Sequence, residues 1–492
     1  MNSLLKPCCV HFRQRWVFAL MCFLGLFHAY AMRACLSITL TEMVITSEPD
    51  VAYDDSCPFN VIENVTVTDA SARSREIYSW NEETQGLILS SFYWGYVVTH
   101  LPGGLISEKY GGKHTYGLGI FLTAVFTLVT PLSVLWAEST GLIVVRVLMG
   151  LGEGVTYPAI SFLLAQWIPP DEISRTGTFV YAGQLLGTIY ANSISGMILQ
   201  HTGNWQSVFY IIGGVSAVWY IFWLILCYNN PREHPFISES ELNYLNEQLS
   251  HTNEKSPPIP WRHVLKSKPM WATVIGMIGF NWSILTIVTD LPKYMSSVLK
   301  FSVEHNGYLN SLVYLSMWIG SMIISWLADF MISNKCLSTT NVRKAGSVVA
   351  LTCSACFVIA GSYAGCDQVL VIVMFTVAMG LMGAAYPSIM VNTLDISPNY
   401  SGTLMALSNG ISAGFTGILS PYIIGVMTPN QTLGEWRFVF WILFVVSIIT
   451  NTVYLLIGKG KVEYWNDPNF NTTDISKPTK ADESSNICNT VV

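Results

Sequence analysis

Charged residues are scarce in this sequence. Asp, Glu, Lys and Arg make up 11% of its 492 residues, whereas a soluble domain usually carries about 25%. Hydrophobic residues make up 51%. So little charge cannot cover the water-facing surface of a long chain, which excludes an ordinary soluble protein and indicates lipid as the solvent. The net charge of −6 gives no reason to expect a nucleic-acid partner.

Signatures of metal binding, of nucleotide binding and of enzyme chemistry are also missing from the sequence. The eleven cysteines follow no metal-ligand pattern, and Cys353 and Cys356 are interpreted as helix-packing residues of an apolar run. The chain lacks a phosphate-binding loop and a nucleophile elbow, so neither an ATP-driven pump nor a membrane enzyme is favoured. Cys57 and Cys366 both fall on the predicted outer side, which leaves a disulfide between them open.

Long apolar runs are what the sequence has instead. A membrane helix needs about 20 mostly apolar residues, and the first run is too long for the apolar core of a signal peptide, so we predict a membrane span there rather than a cleaved leader. Twelve runs meet the length requirement: 16–45, 86–107, 115–136, 141–167, 176–200, 207–228, 270–299, 308–330, 344–364, 368–394, 401–427 and 436–458.

Basic residues predict the orientation of these spans. Of the 25 Lys and Arg residues, eighteen fall on one side, five on the other, and Arg33 and Arg146 within spans. The positive-inside rule places the richer side, with both termini, in the cytoplasm. The predicted segments are the tails 1–15 and 459–492, an N-terminal six-helix bundle at 16–228 with a long outer loop at 46–85, a cytoplasmic linker at 229–269 with a short amphipathic helix near 238–250, and a C-terminal six-helix bundle at 270–458.

Two predictions concern the surface of the protein. Sequons at Asn64 and Asn430 lie on the predicted outer side and are expected to be glycosylated. The last residues, Thr490-Val491-Val492, fit a C-terminal ligand of a PDZ domain, with a partnerless tail as the alternative. Such partners hold membrane proteins at the cell surface, so plasma-membrane residence is predicted, with a lysosomal or vesicular membrane as the alternative.

The two halves of the chain resemble each other. Tyr157-Pro158 and Tyr386-Pro387 each stand twelve residues before the next matching proline, and each half has a W-x-x-V-F stretch where its last span begins. Two six-helix repeats with a substrate site between them form a known transporter plan. The repeat predicts an all-α membrane protein with two pseudo-symmetric six-helix bundles.

Charges inside the predicted spans mark the candidate site. Each costs about 2.5–3.5 kcal/mol to insert into a membrane, so Arg33, Arg146 and Glu153 are functional candidates. Arg146 and Glu153 are seven residues apart and share a helix face with Tyr157. The fixed guanidinium of Arg33, close to Tyr30, suits bidentate binding of a carboxylate or phosphate.

Two residues are candidates for ion coupling. Glu153 can gain and lose a proton. The low dielectric of the membrane and a nearby arginine shift the pKa of its carboxyl in opposite directions. The alternative is that Glu153 only neutralises an arginine as a packing pair. His100, late in span 2, is the second candidate because histidine titrates near neutral pH. The alternative for His100 is a hydrogen bond in helix packing.

The loop after span 2 has a recognisable pattern. Its sequence G-L-I-S-E-K-Y-G-G-K at 104–113 resembles the loop signature of the major facilitator superfamily, which usually has Asp in place of Glu108. The resemblance implies that Glu108, Lys109 and Lys113 latch the two halves in one state. A basic turn that merely obeys the positive-inside rule is the alternative.

Stretches from span 1 to span 12 are similar to one branch of that superfamily, the anion:cation symporter family of sialin, the vesicular glutamate transporters and the type I sodium-phosphate cotransporters. The resemblance implies anion transport driven by protons, sodium or voltage, with Arg33 binding the anion and Arg146 and Glu153 coupling it. The similar stretches are YAMR at 30–33, QG at 85–86, SFYWGY at 91–96, LPGG at 101–104, GLGEGVTYPA at 150–159 with Arg146, Asn281-Trp282, LDISP at 394–398, Ser408-Asn409 and GEW at 434–436.

Departures from the family pattern narrow the range of substrates that we expect. Phe280 stands where the glutamate branch has an arginine, and Leu89 stands where it has a histidine. The resemblance therefore places the chain nearer the sialin and phosphate-cotransporter branches, with Asn281 and Asn409 as further substrate-binding candidates. Cys35 and His100 also differ from the family's usual asparagine and glutamine, and both changes alter which anion fits.

The leading hypothesis is a secondary carrier of small anions, either organic carboxylates or inorganic phosphate. No cofactor is expected beyond a coupling proton or sodium ion. A channel-like protein or sensor on the same scaffold is the alternative, and an enzyme is the least favoured class because no catalytic signature is present.

Overall fold

A computed structural model describes residues 13–44, 78–249, 259–398 and 400–466. Within these ranges the chain is almost entirely helical, as predicted, and the membrane-crossing helices follow the apolar runs. We number twelve spans in chain order: Gln14–Met43, Glu82–Tyr110, Gly112–Trp167 (spans 3 and 4), Pro170–Thr202, Gln206–Leu226, Lys268–Ser297, Val303–Ser333, Thr339–Tyr363, Gln368–Ile396, Ser401–Met427 and Leu433–Ile457.

Length and composition identify most of these spans. In the described part of the chain, nine helices are long and apolar enough to cross a membrane. One of them, Gly112–Trp167, has 56 residues and leaves helical geometry at Ala137 and Glu138, where the chain turns back, so it contains two spans. Glu82–Tyr110 and Pro170–Thr202, helices of 29 and 33 residues with more polar side chains, complete the twelve.

Each half has its own hydrophobic core. One cluster of buried side chains is drawn almost entirely from spans 1 to 6, with Trp167 and Trp223 among its largest members. A second cluster is drawn almost entirely from spans 7 to 12 and includes Phe375 and Trp436. Two separate cores allow each half to act as a unit, while the boundary between them is free to carry polar groups.

The two halves meet closely at the outer end of spans 2 and 11. A Cβ atom on Gly86 would lie 2.5 Å from the Pro421 carbonyl oxygen, and one on Gly425 would lie 2.5 Å from the Glu82 carbonyl oxygen. Only glycine permits two backbones to approach so closely. An ion pair between Lys293 of span 7 and Glu82 closes the same end.

Three spans of the C-terminal half contain a turn of π-helix. These segments are Thr286–Asp290 in span 7, Val348–Cys353 in span 9 and Tyr386–Met390 in span 10. Such π turns occur often at functional sites because they widen the helix and redirect side chains. The first and third of them contribute side chains to the cavity between the halves.

The predicted linker helix covers Glu239–Leu249 and packs under the first span. The Glu241 carboxylate accepts hydrogen bonds from the backbone N–H groups of Gln14 and Arg15, at 2.8 and 3.2 Å. These are N–H groups of the first helical turn, which have no partner within their own helix. Arg15 also forms an ion pair with Glu172 at the start of span 5, so linker, span 1 and span 5 are tied together.

Candidate anion site

A cavity of about 100 Å³ lies between the two halves. One water molecule needs roughly 10–15 Å³ of such space, so the cavity holds several waters or one small solute. Its polar lining consists of Tyr30, Arg33, Ser37, Tyr93, Tyr96, Arg146, Tyr157, Gln184, Thr188, Asn281, Thr289, Tyr314, Tyr386 and Asn409.

Arg33 lies at one wall of this cavity in an aromatic cage. Its Nη2 donates to the Tyr93 hydroxyl. Its guanidinium carbon lies 4.6 Å from the centroid of the Tyr93 ring, 4.9 Å from that of Phe92 and 5.2 Å from that of Tyr30. Aromatic faces attract a cation without neutralising its charge. The cage therefore holds the guanidinium in place and leaves it able to attract an anion.

Glu153 pairs with Arg33 rather than with Arg146. Arg33 Nη1 lies 3.4 Å from Glu153 Oε1, and the Glu153 side chain is only 2% exposed. The second carboxylate oxygen, Oε2, is buried without a hydrogen-bond partner among the described residues. The backbone is irregular just after Glu153, where Gly154 and Val155 interrupt the helix. A charged oxygen left without a donor in a dry site is costly, which makes this carboxylate sensitive to its protonation state.

Arg146 is a second cation beside the same ring. It is 4% exposed, and its guanidinium carbon lies 5.0 Å from the centroid of Phe92. Its Nε is buried without a hydrogen-bond partner, and within the described ranges no carboxylate forms an ion pair with it. Two guanidinium groups thus flank Phe92, and a single carboxylate offsets them.

A chain of hydrogen bonds joins the two halves across the cavity. The hydroxyls of Tyr30 and Tyr157 lie 3.1 Å apart, and Tyr157 donates to the side-chain oxygen of Gln184. The Gln184 amide then donates to the Tyr386 hydroxyl at 3.0 Å. Tyr157 and Tyr386, the related tyrosines of the two repeats, therefore meet at one glutamine.

The wall from the C-terminal half is polar or aromatic but uncharged. Asn281 donates to the Ser412 hydroxyl at 2.8 Å, and Asn409 lies nearby in span 11. Phe280 packs edge-on against Tyr386, with ring centroids 5.8 Å apart. The two positions that separate this chain from the glutamate branch, Phe280 and Leu89, both line the cavity.

His100 does not line the cavity. Its ring stacks on Tyr96 with centroids 5.0 Å apart, and its Nδ1 lies 3.1 Å from the Gly154 carbonyl oxygen. A Cβ on Gly410 of span 11 would lie 2.7 Å from the histidine ring. His100 therefore packs between spans 2, 4 and 11, close behind Glu153, which is the environment of a packing residue.

The structure describes the predicted latch loop in part. Lys113 Nζ donates to the Leu224 carbonyl oxygen at 3.0 Å and lies 4.3 Å from the centroid of Tyr228, both within the N-terminal half. Lys109 is exposed, with its Nζ 5.3 Å from the Tyr110 ring. The side chain of Glu108 lies outside the described residues. The latch role of this loop stays a prediction.

The surface predictions fall at the edges of the described chain. Asn430 is exposed before span 12, and its side-chain amide donates to Glu435 at 3.1 Å. Asn64, Cys57 and Thr490–Val492 lie outside the described residues, while Cys366 is disulfide-bonded. Glycosylation, the PDZ partner and the Cys57–Cys366 pairing remain predictions. Among the described residues, no group of His, Cys, Asp and Glu is placed to hold a metal ion.

Sequence reasoning missed three functional candidates. Gln184 was overlooked because it is uncharged. Asp290 and Lys293 lie inside the predicted span 270–299, and both are buried, at 2% and 6% exposure. The positive-inside count assigns Lys293 to an outer segment, although it is a buried charge. Its position within a predicted span, like that of Asp290, is the signal that identifies both residues as candidates.

Comparison with known proteins decides the family. The profile of the Major Facilitator Superfamily matches residues 22–421. The chain belongs to the major facilitator superfamily. Members of this superfamily are transporters rather than enzymes, so the chain is a multi-pass membrane protein of the solute-transporter class.

The relatives of this superfamily member lie in the anion:cation symporter branch. A "Putative inorganic phosphate cotransporter" of Drosophila melanogaster is 39% identical over 467 residues, covering 93% of this chain and 87% of the relative. Human sialin is 36% identical, with coverage of 92% and 90%. Vesicular glutamate transporter 3 of Danio rerio is 33% identical, with coverage of 95% and 76%. These similarities confirm the family resemblance drawn from the sequence.

Solved structures confirm the superfamily fold. A bacterial homolog to the human lysosomal transporter Spinster, in an inward-facing and occupied conformation, aligns with a TM-score of 0.68 at 12% identity, covering 90% of this chain and 96% of the other. A D-xylose-proton symporter aligns with a TM-score of 0.64 at 12% identity, with coverage of 90% and 98%. At such low identity the likeness concerns the fold alone.

Proposed function

We propose that this chain is a secondary active symporter of small anions, driven by a proton or sodium gradient. The observation that carries the proposal is the charge balance beside the cavity: Arg33 and Arg146 flank Phe92, and only Glu153 offsets them among the described residues. A net positive charge in a buried site favours the entry of an anion. Relatives named for phosphate and for glutamate are consistent with an anionic substrate.

Within this class we propose a monoanionic carboxylate as the preferred substrate. Among the described residues, the charged groups at the cavity sum to one positive charge while Glu153 is ionised, and a monoanion that enters with one proton on Glu153 leaves that sum unchanged, whereas a dianion lowers it. The opposite wall offers the amides of Asn281 and Asn409 and the ring of Phe280, which suit an uncharged, hydrogen-bonding body. Inorganic phosphate as a dianion is the less favoured substrate.

Glu153 supplies a means of coupling. While ionised, it occupies one Nη of Arg33. Protonation of the carboxyl removes that competition and leaves both guanidinium groups for the substrate. The proton and the anion then enter together, because each makes the binding of the other more favourable. Sodium coupling requires the cation to act on the same carboxylate.

Uptake by reconstituted vesicles tests this proposal. Sialic acid, phosphate, glutamate and urate are offered under an imposed proton gradient, and again under an imposed sodium gradient. We expect concentrative uptake of the carboxylate under one gradient, with collapse when an ionophore dissipates it. Uptake that never exceeds the outer concentration favours the channel-like alternative and refutes symport. Preference for phosphate under all conditions refutes the carboxylate assignment.

The membrane in which the protein resides is a separate proposal. We propose the plasma membrane, with the tail Thr490–Val492 binding a PDZ protein there. Surface biotinylation of intact cells is expected to label the full-length chain and to label a variant lacking the last three residues less. Labelling confined to internal membranes, unchanged by the deletion, contradicts both the location and the partner.

A further inference from the structure

The outer end of the interface between the halves holds a buried group of charges outside the anion cavity. Lys293 of span 7 contacts Glu82 of span 2 in a direct ion pair, with side chains 8% and 14% exposed. Gln85 donates to Glu82 Oε1 at 3.0 Å. Because the two partners belong to different halves, the halves cannot separate at this end without breaking the pair.

Asp290 is a second carboxyl beside this pair. It lies one helical turn before Lys293 on the same span and is 2% exposed. The charged groups acting on it are Lys293 from its own span and Glu82 from span 2. Spans 1 and 11 also pack against the Thr286–Asp290 segment. Within the described ranges, no charged side chain of these two spans is among the groups that act on Asp290. One ammonium group therefore interacts electrostatically with two carboxyl groups.

Burial favours Asp290 over Glu82 as the carboxyl that holds a proton, because Asp290 is 2% exposed and has no direct ion pair within the described ranges, and the contacts of Thr289 accommodate that proton. Thr289 Oγ1 lies 2.8 Å from the Leu285 carbonyl oxygen and 2.5 Å from Asp290 Oδ2. A hydroxyl has one proton to donate, and a carbonyl oxygen can only accept. If the hydroxyl donates to Leu285, the contact with Asp290 becomes a hydrogen bond when the Asp290 carboxyl is protonated and donates to Oγ1. Both contacts are then satisfied.

The Thr286–Asp290 segment connects this group to the cavity. Thr289 lines the anion cavity, and Lys293 lines a small outer pocket together with Glu82 and Leu40. A π turn with Pro292 two residues after it lets the outer part of span 7 move relative to the part that lines the cavity, because the regular hydrogen-bond pattern is already broken there. The route from cavity to outer end is a single continuous backbone segment.

We propose that Asp290 is a protonation switch for the outer gate. In the closed state Asp290 is protonated and Lys293 is held by Glu82. Loss of the Asp290 proton to the outer solution creates a second carboxylate that competes for Lys293, so the ammonium shifts from Glu82 to Asp290. The bond between spans 2 and 7 then breaks and the outer end opens. The inference rests on the proposed function only in assuming that the cavity opens to both sides in turn.

A cysteine reporter measures the opening directly. Leu40 is 1% exposed beside the charge group, so Leu40→Cys reports whether the outer pocket is open to a membrane-impermeant maleimide. Thiol ionisation also depends on pH. Labelling is therefore divided by that of Gly434→Cys, a matched control at an exposed outer position with free space around it. Both reporters are corrected for labelling of the parent chain.

We expect the Leu40→Cys to Gly434→Cys ratio to fall several-fold when the outer pH is lowered from about 7.5 to about 5.5, because protonation of the buried Asp290 carboxyl leaves Lys293 paired with Glu82. Asp290→Asn, which mimics the protonated form, is expected to keep the ratio low at both pH values, and Asp290→Glu to restore the pH dependence. An unchanged profile in Asp290→Asn overturns the proposal. The proposal is also overturned if the pH dependence of the labelling ratio disappears in Glu153→Gln and persists in Asp290→Asn.

Glu82→Gln provides a second route if Asp290→Asn does not reach the membrane. Removing the closed-state acceptor is expected to raise the labelling ratio at both pH values, and a ratio that stays low overturns the proposal. Labelling needs no transported substrate. Failure of concentrative uptake with an intact pH-dependent ratio therefore counts against the proposed function alone.

Discussion

The cavity wall from spans 1, 2 and 4 differs in charge from the wall of spans 7, 10 and 11. The N-terminal wall carries Arg33 and Arg146 with Glu153 behind them, while the C-terminal wall presents amides, hydroxyls and rings. On the register that aligns Tyr157 with Tyr386, the counterparts of Arg146 and Glu153 are Phe375 and Met382. Both are buried and uncharged, at 0% and 1% exposure.

The difference in charge indicates that the two halves have different roles in binding the substrate. The shared helical plan brings the two halves around one cavity, and the related tyrosines even meet at Gln184. Buried charges are costly in a membrane, so they are kept only where they are used. We infer that the N-terminal half recognises the anion and its coupling ion, while the C-terminal half selects the body of the substrate.

The largest expected effect comes from Arg33. Arg33→Lys keeps the charge but removes the planar fork that holds Glu153, Tyr93 and the proposed carboxylate at once. Loss of a charged hydrogen bond costs about 1.5–3 kcal/mol, so carboxylate uptake is expected to fall by roughly tenfold to a hundredfold. Uptake into vesicles checks this result.

Arg232→Lys is the matched control for that substitution. Arg232 lies in the linker, is exposed, and donates to Asn246 at 2.8 Å, far from the cavity. Its variant is expected to transport normally. Near-normal uptake by an Arg33→Lys protein that is properly folded contradicts the anchoring role of Arg33.

Glu153→Gln separates coupling from binding. The amide is neutral at every pH, so Arg33 stays available to the anion and exchange of internal for external substrate is expected to continue. Gradient-driven accumulation is expected to disappear, because the carboxyl no longer changes charge. The two assays are run on the same vesicles. Accumulation against a gradient in the variant shows instead that Glu153 is a packing partner of Arg33.

The sequence predicts the fold well because lipid imposes a simple rule on length and hydrophobicity. Twelve apolar runs become twelve spans, and the observed helix ends differ from the predicted ends by a few residues, as in Glu82–Tyr110 for the run 86–107 and Gln14–Met43 for the run 16–45. The rule treats each helix alone, so it cannot tell which neighbour a side chain meets. The helix-face argument relates Arg146 to Glu153, yet Glu153 forms its ion pair with Arg33 of another span.

The same limit explains the other differences at the site. His100 has suitable chemistry for ion coupling, but its depth and direction place it against the Gly154 carbonyl oxygen instead of the cavity. Gln184 has no charge to draw attention in a span, and its importance comes from bonding to two tyrosines at once. Asp290 and Lys293 were within reach of the sequence, because both lie inside a predicted span.

Phe280→Arg is designed to remove the difference between the walls. A guanidinium on the C-terminal wall raises the charge facing the substrate by one, so a second carboxylate gains a partner. We expect the preference for a dicarboxylate over a monocarboxylate to rise about tenfold, the equivalent of one charged hydrogen bond. Phe280→Met is the control, since it changes shape without charge. Equal preferences in the two variants contradict the assignment of selectivity to this wall.

The smallest expected effect concerns the bridge between the repeats. Tyr386→Phe removes the hydroxyl that accepts a hydrogen bond from Gln184 and leaves the ring packed against Phe280. A neutral hydrogen bond contributes about 0.5–1.5 kcal/mol, so Tyr386→Phe is expected to change the exchange rate by roughly twofold to tenfold, with the gradient requirement intact.

Tyr157→Phe is the comparison variant. It removes a hydroxyl that contacts both Tyr30 and Gln184 and so lies beside the charged wall. Tyr157→Phe is expected to weaken anion affinity as well, because Tyr30 forms part of the cage around Arg33. Exchange rates and half-saturating concentrations measured side by side distinguish the two, and identical losses in both variants contradict a division of labour between the repeats.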